Sequence, residues 1–127
     1  MKYLTLILAA LFFSHCSAPY QLIEENHPYG LYGQLLAKEG NGDQLSKILL
    51  EAAKLMQKAQ GCQMYMISTD NSNEDSVIIY EVWDSKEHHD DSLQSPEVRE
   101  LIGQAIPLLA APPKQGQELK ILGGLFR

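Results

Sequence analysis

The chain has 127 residues, 45% of them hydrophobic and 20% charged, with a formal net charge of -6. That length supports one domain with a modest core. The acidic balance excludes the clustered basic face that a nucleic-acid surface requires, and beyond the N-terminus no apolar run is long enough to predict a membrane span.

Lys2 precedes an apolar run from Tyr3 to Phe13, and small or polar residues follow through Ala18. One positive charge, a short apolar segment and small residues after it read as a secretory signal peptide. Cys16 directly follows the apolar segment and resembles the modified cysteine of a bacterial lipoprotein; ordinary cleavage nearby is the alternative. The expected organisation is a signal peptide over residues 1–16, a polar tether over 17–27 and a folded domain over 28–127. The protein is then exported, either periplasmic or held at a membrane by lipid on Cys16, since a diacyl anchor buries enough methylenes for stable attachment. With Cys16 lipidated, Cys62 has no disulfide partner, and a buried, inert thiol is expected there.

Pro28 to Lys38 reads as the first strand, with Tyr29, Leu31, Gly33, Leu35 and Ala37 along one face. Glu39-Gly40-Asn41-Gly42 is a turn. Asn41 and Gln44 have the spacing of a capping box for a helix over Asp43 to Gln60, with Asp43 favourable in the first turn. Leu45, Ile48, Leu49, Ala52, Leu55, Met56 and Ala59 make one helical stripe, and Gly61 suits the left-handed residue that ends a helix. Cys62 to Thr69 and Ser76 to Trp83 are strands of a hairpin, with Asp70 to Asp75 as a solvated turn. In the second of them Val77, Ile79, Glu81 and Trp83 share one face, and Ile78, Tyr80 and Val82 share the other. Ser85 caps a short helical turn through Ser92. Ser95 caps a further helix with Pro96 at its first position. Val98, Leu101, Ile102, Ala105 and Leu109 form its apolar stripe, and Pro107 kinks or ends it. Ala111-Pro112-Pro113 is a stiff connector, and Glu118 to Leu125 is the last strand.

The order β-α-β-β-α-β gives an α+β, ferredoxin-like fold. Such a sheet carries helices on one side only. The first and third strands are apolar on both faces, so the other side needs a cover. A symmetric dimer supplies one.

Several side chains could carry chemistry. Neutral imidazoles of His88 and His89 could accept a proton near pH 7, with Asp84, four residues before His88, orienting that ring. Solvation on an acidic turn with Asp90 and Asp91 is the bland reading of both. No metal site is expected, because adjacent helical residues point about 100° apart and the common ligand pair is i, i+4. Trp83, Tyr65 and Tyr80 could line a substrate pocket or serve as ordinary strand aromatics. Glu81, flanked on its face by Ile79 and Trp83, must find a partner or shift its pKa upward. No glycine-rich loop has the strand-loop-helix context of a nucleotide cradle, so no cofactor is expected.

The turn Glu39-Gly40, then Gly61-Cys62, Tyr65, Glu81-Val82-Trp83-Asp84-Ser85 and Leu93-x-x-Pro96 follow one another in an order and spacing that resembles the antibiotic-biosynthesis-monooxygenase family. The resemblance spans roughly Tyr29 to Leu125 and implies a homodimeric α/β barrel. It implies, further, a monooxygenase of small phenolic or quinol-type substrates that works without a cofactor; the pocket would lie between sheet and helices, and His88 or His89 is this chain's own candidate for the base. The alternative is a non-catalytic ligand-binding or stress-response barrel. The heme-degrading branch of the family uses an Asn, a Trp and a His at positions that align with Gly33, Ser92 and Ile102, so heme degradation is not expected. Ser92 also stands where quinol-oxidising relatives often carry a histidine.

Overall fold

The computed structural model describes residues 27–124. The expected signal peptide, Cys16 and nearly all of the tether lie outside the described residues, as do the last three residues of the chain.

The described residues form, in chain order, β1 (Tyr29–Leu36), α1 (Gly42–Met56), β2 (Cys62–Asp70), β3 (Asn73–Trp83), α2 (Lys86–Ser92), α3 (Pro96–Ala105), a 3-10 turn (Ile106–Leu108) and β4 (Gln117–Lys120). The strands form one antiparallel sheet in the order β2-β3-β1-β4, the ferredoxin-like arrangement. Strand alternation sorts the side chains into two faces. Leu31, Leu35, Tyr65, Ile67, Val77, Ile79, Glu81 and Trp83 point toward the helices. Tyr32, Met64, Met66, Ile78, Tyr80 and Val82 point the other way.

The stripe of α1 docks as its spacing predicts, with Leu45, Leu49, Ala52 and Met56 buried. Leu45 and Leu49 join Val77, Ala105 and Leu109 in one core cluster. Met56, Trp83 and Val98 form a second, which ties α1 and α3 to the end of β3. Ser85 caps α2 as expected, its Oγ accepting from the backbone N–H of His88 at 3.2 Å. Pro96 opens α3, but Ser95 Oγ donates to Glu97 instead of capping the backbone.

Four boundaries differ from the sequence reading, each for a physical reason. Asn41 is the N-cap of α1 but its side chain makes no capping bond. Asp75, on β3, accepts from Gly42 N at 2.8 Å and from Gly40 N at 3.0 Å, so the cap is supplied across the fold and not locally. The helix ends at Met56, and residues 57–60 tighten into turns before Gly61, whose φ of 79° is left-handed as expected. The hairpin turn is shorter than predicted. Asp70 Oδ1 accepts from both Ser72 N and Ser72 Oγ, and β3 begins at Asn73. The last strand stops at Lys120, opposite Tyr29, because the next rung of β1 is Pro28, which has no N–H to offer.

The cap gives a stability prediction. Asp75→Ala should destabilise the protein by about 1–2 kcal/mol, the range for losing an N-cap, whereas Asn41→Ala should be near neutral. Urea unfolding of both variants checks this; equal losses would contradict the assignment.

Candidate functional site

Between the helices and the inward face of the sheet lies a cavity of about 350 Å³. Leu31, Leu35 and Ile79 form its sheet wall, and Ile48, Leu49, Ala52, Met56, Val98, Leu101 and Ala105 its helix wall. Polar groups enter mainly at one region, where Tyr65, Glu81, His89 and Ser92 meet. An apolar cavity with a few convergent polar groups is the expected form of a small-molecule site.

A β-bulge builds that polar end. The register of β2 against β3 shifts between Cys62 and Met64, leaving Gln63 as the extra residue. Tyr65 therefore pairs with Glu81. Without the shift it would pair with Tyr80 and point away from the helices, since a one-residue slip exchanges the faces of a strand.

Glu81 lies in the buried core of this region. Its Oε2 accepts from Trp83 Nε1 at 2.8 Å and lies 3.9 Å from His89 Nε2. The Glu81 and His89 side chains are each only 10% exposed. Burial pushes the Glu81 carboxyl above its ordinary range, against the smaller opposing pull of the Trp83 hydrogen bond and His89. Tyr65 is raised as well, first by burial and then by the charge of Glu81. His89 Nδ1 lies 2.9 Å from Asp90 Oδ1. The Asp90 carboxyl is held below its usual range, chiefly by Lys86 and then by His89, and an ionised carboxylate only accepts. His89 Nδ1 therefore donates, and Nε2 is the ring nitrogen that faces Glu81. The His89 ring also packs edge-on to Trp83, centroids 5.7 Å apart, and against Tyr29 at 5.3 Å.

The residues singled out from sequence separate in space. His89 and Tyr65 line the cavity. His88 does not: it faces an outer depression and its Nδ1 sits 2.7 Å from Asp84 Oδ1. That pair is the one expected from the i, i+4 spacing, and the Asp84 contact holds the His88 imidazole above its usual pKa. It is packed against Gly61, where a Cβ would fall 2.2 Å from Asp84 Oδ1, so the pair braces the junction between α1 and β2. Trp83 is completely buried beneath the cavity and touches Glu81 and His89 instead of lining the wall. Tyr80 pairs with Tyr32 and Met66 on the opposite face of the sheet, apart from Tyr65. The Cys62 thiol is half-buried, and desolvation raises its pKa to about 11, so it stays protonated.

The sequence marks Glu81 only as a carboxyl that needs a partner or a raised pKa, and it does not single out Leu93, Ile106 and Lys114 as lining groups. The signal for Glu81 was its place between Ile79 and Trp83 on one strand face. Ile106 is four residues beyond Ile102 and extends the same helical row. Among the described residues, no group of three or more His, Cys, Asp or Glu side chains could hold a metal ion.

The family model described as antibiotic biosynthesis monooxygenase matches residues 28–104. A crystal structure from Chloroflexus aurantiacus J-10-fl, provisionally named an antibiotic biosynthesis monooxygenase, is 39% identical, with a TM-score of 0.69 over 77% of this chain and 96% of that one. Two others with the same provisional name share the fold at low identity. The one from Nitrosomonas europaea is 12% identical, with a TM-score of 0.72 over 77% and 93% of the two chains. The one from Caulobacter crescentus CB15 is 17% identical, with a TM-score of 0.69 over 77% and 92%. No curated protein is significantly similar to the chain in sequence.

The buried carboxyl makes stability depend on pH in a defined direction. Its folded pKa is raised, so its contribution is full below the ordinary glutamate range, about pH 4, and is lost as pH rises through the folded pKa. Glu81→Gln keeps an oxygen for Trp83 Nε1 and removes the ionisation. Between about pH 4 and pH 7 its urea midpoint should therefore fall less, or rise more, than that of the parent. Parallel pH profiles would contradict a perturbed carboxyl.

Proposed function

The chain belongs to the antibiotic biosynthesis monooxygenase family, and from that premise we propose that its inner cavity oxygenates a small phenolic or quinol-type aromatic without a bound cofactor. The observation that carries this reading is the polar end of an otherwise apolar cavity, where His89, Glu81 and Tyr65 converge. An aromatic ring fits apolar walls, and its hydroxyl needs hydrogen-bonding partners once out of water.

In the proposed reaction, His89 Nε2 takes the proton of the substrate hydroxyl, and Glu81 beside it shares the resulting charge. The phenolate gives one electron to O2. The two radicals combine at a ring carbon carrying hydrogen to give a peroxide anion, which takes back the proton held by His89 and becomes a hydroperoxide; loss of water leaves a carbonyl. One oxygen atom ends in the product and the other in water, and the substrate supplies all the electrons. A poised base removes the first obstacle, because the phenolate is far more readily oxidised than the phenol. His88, outside the cavity and paired with Asp84, has no part in this scheme.

We also propose that two chains pair through the open face of the sheet. Tyr32, Met64, Ile78 and Tyr80 lie on that face, and beside them Met66 is 50% exposed. A monomer would leave this apolar surface wet. Light scattering at micromolar concentration should return twice the chain mass; a folded monomer would contradict the pairing.

A second reading is a binding barrel without turnover. It is favoured by Ser92, which lines the cavity where the quinol-oxidising relatives often carry a histidine. The two readings part on oxygen uptake with quinols and naphthols, no cofactor or metal being added. Catalysis predicts turnover that falls roughly 10²- to 10⁴-fold in His89→Ala. The same substitution at His88 should leave it within a few-fold. Saturable binding without oxygen uptake would select the binding barrel, and a larger loss at His88 than at His89 would overturn the assigned base.

A further inference from the structure

The lining of the cavity includes both buried polar side chains and exposed apolar ones. At the inner end Glu81 and His89 are each 10% exposed. Three other lining side chains are large, apolar and open to solvent: Leu93 at 40%, Ile102 at 43% and Ile106 at 53%. They come from two separate stretches, the C-terminal end of α2 and the last turns after Pro96, and both border one cavity. A lining residue that is also exposed marks the mouth, so the mouth is an apolar rim. Lys114 also lines the cavity. Its long stem can lie on the apolar surface while the ammonium stays in water.

A compact, freely soluble phenol would need no such rim. Its polar outer edge would be placed against Leu93, Ile102 and Ile106 with no hydrogen-bonding return. An exposed apolar patch continuous with a cavity instead fits a ligand whose own apolar portion emerges from that cavity.

We propose that the ligand is amphiphilic: a hydroxylated aromatic head held at Glu81 and His89, with an alkyl or isoprenoid chain leaving across Leu93, Ile102 and Ile106. This rests on the reading of the cavity as an aromatic site, and it specifies the substrate class as lipid-soluble quinols or phenols. The rim then grips the chain that a membrane would otherwise hold.

The test is a homologous series of methyl-, butyl- and octylhydroquinone, titrated into the protein under argon so that binding is separated from turnover. Each buried methylene is expected to tighten binding about fourfold at most. The dissociation constant should fall at least roughly tenfold from methyl to octyl, since several methylenes reach the rim. In the double variant Ile102→Ser, Ile106→Ser the methyl-to-octyl ratio should collapse toward one. Leu93→Ser, on a different element, should lower the ratio independently. These residues are exposed, and circular dichroism establishes that the variants are folded. Binding of methylhydroquinone with no gain from the octyl chain overturns this proposal and leaves the aromatic site standing. A gain that survives all rim substitutions overturns it too, because the chain is then held elsewhere. A flat ratio together with a changed light-scattering mass in the rim variants assigns the patch to a second copy of the chain and also overturns it. Failure of every member to bind removes the aromatic site itself, and this proposal with it.

Discussion

The hydrogen bond from Trp83 Nε1 to Glu81 Oε2, 2.8 Å long and out of water, is the contact on which the site depends. A carboxylate on the inner face of a sheet is costly unless it is partnered. The indole supplies the partner, and in return the carboxylate satisfies an N–H that lies in a fully buried side chain. Trp83 is at the same time the centre of the core cluster joining Met56 on α1 to Val98 on α3. One residue thus docks the helices over the sheet and holds an acid beneath the cavity they enclose. His89 completes the arrangement by packing its ring on that indole.

The neighbouring Asp84–His88 pair performs a different task. It sits on the outer side of α2 and closes against a glycine that has no room for a side chain. Two adjacent histidines therefore serve opposite sides of a short helix. The outer one is a brace with a carboxylate partner in contact. The inner one has its carboxylate on the far ring nitrogen and leaves the other nitrogen toward the cavity. This division of labour follows from helical geometry, since successive residues diverge by about 100°.

Most of the fold was legible in the chain. The stripe from Leu45 to Met56, the alternation of Val77 to Trp83, Ser85 as a cap and the left-handed Gly61 are local signals, and local signals survive folding. The cap of α1 was not legible, because Asp75 reaches Gly40 and Gly42 from another element and no spacing rule encodes that. The site was legible in its ingredients but not in its grouping. Tyr65 and Tyr80 look equivalent in sequence, yet one extra residue at Gln63 turns the first toward Glu81 and leaves the second on the opposite face. Nothing local announces such a bulge. The choice between His88 and His89 likewise depends on which side of α2 meets the sheet, a tertiary fact. The apolar rim was half visible: Ile102 belongs to the apolar stripe read from the sequence, and in the structure it lines the cavity while 43% exposed.

The central claim is that ligand chemistry belongs to the buried His89–Glu81 end and not to His88 on the outer side of α2. The most direct measurement is an NMR titration of the histidine ring and glutamate carboxyl signals with a naphthoquinol under argon. The account predicts saturable shifts at His89 and Glu81, with His88 unmoved. Movement of His88 alone, or no response at His89 and Glu81 under saturating quinol, would contradict it.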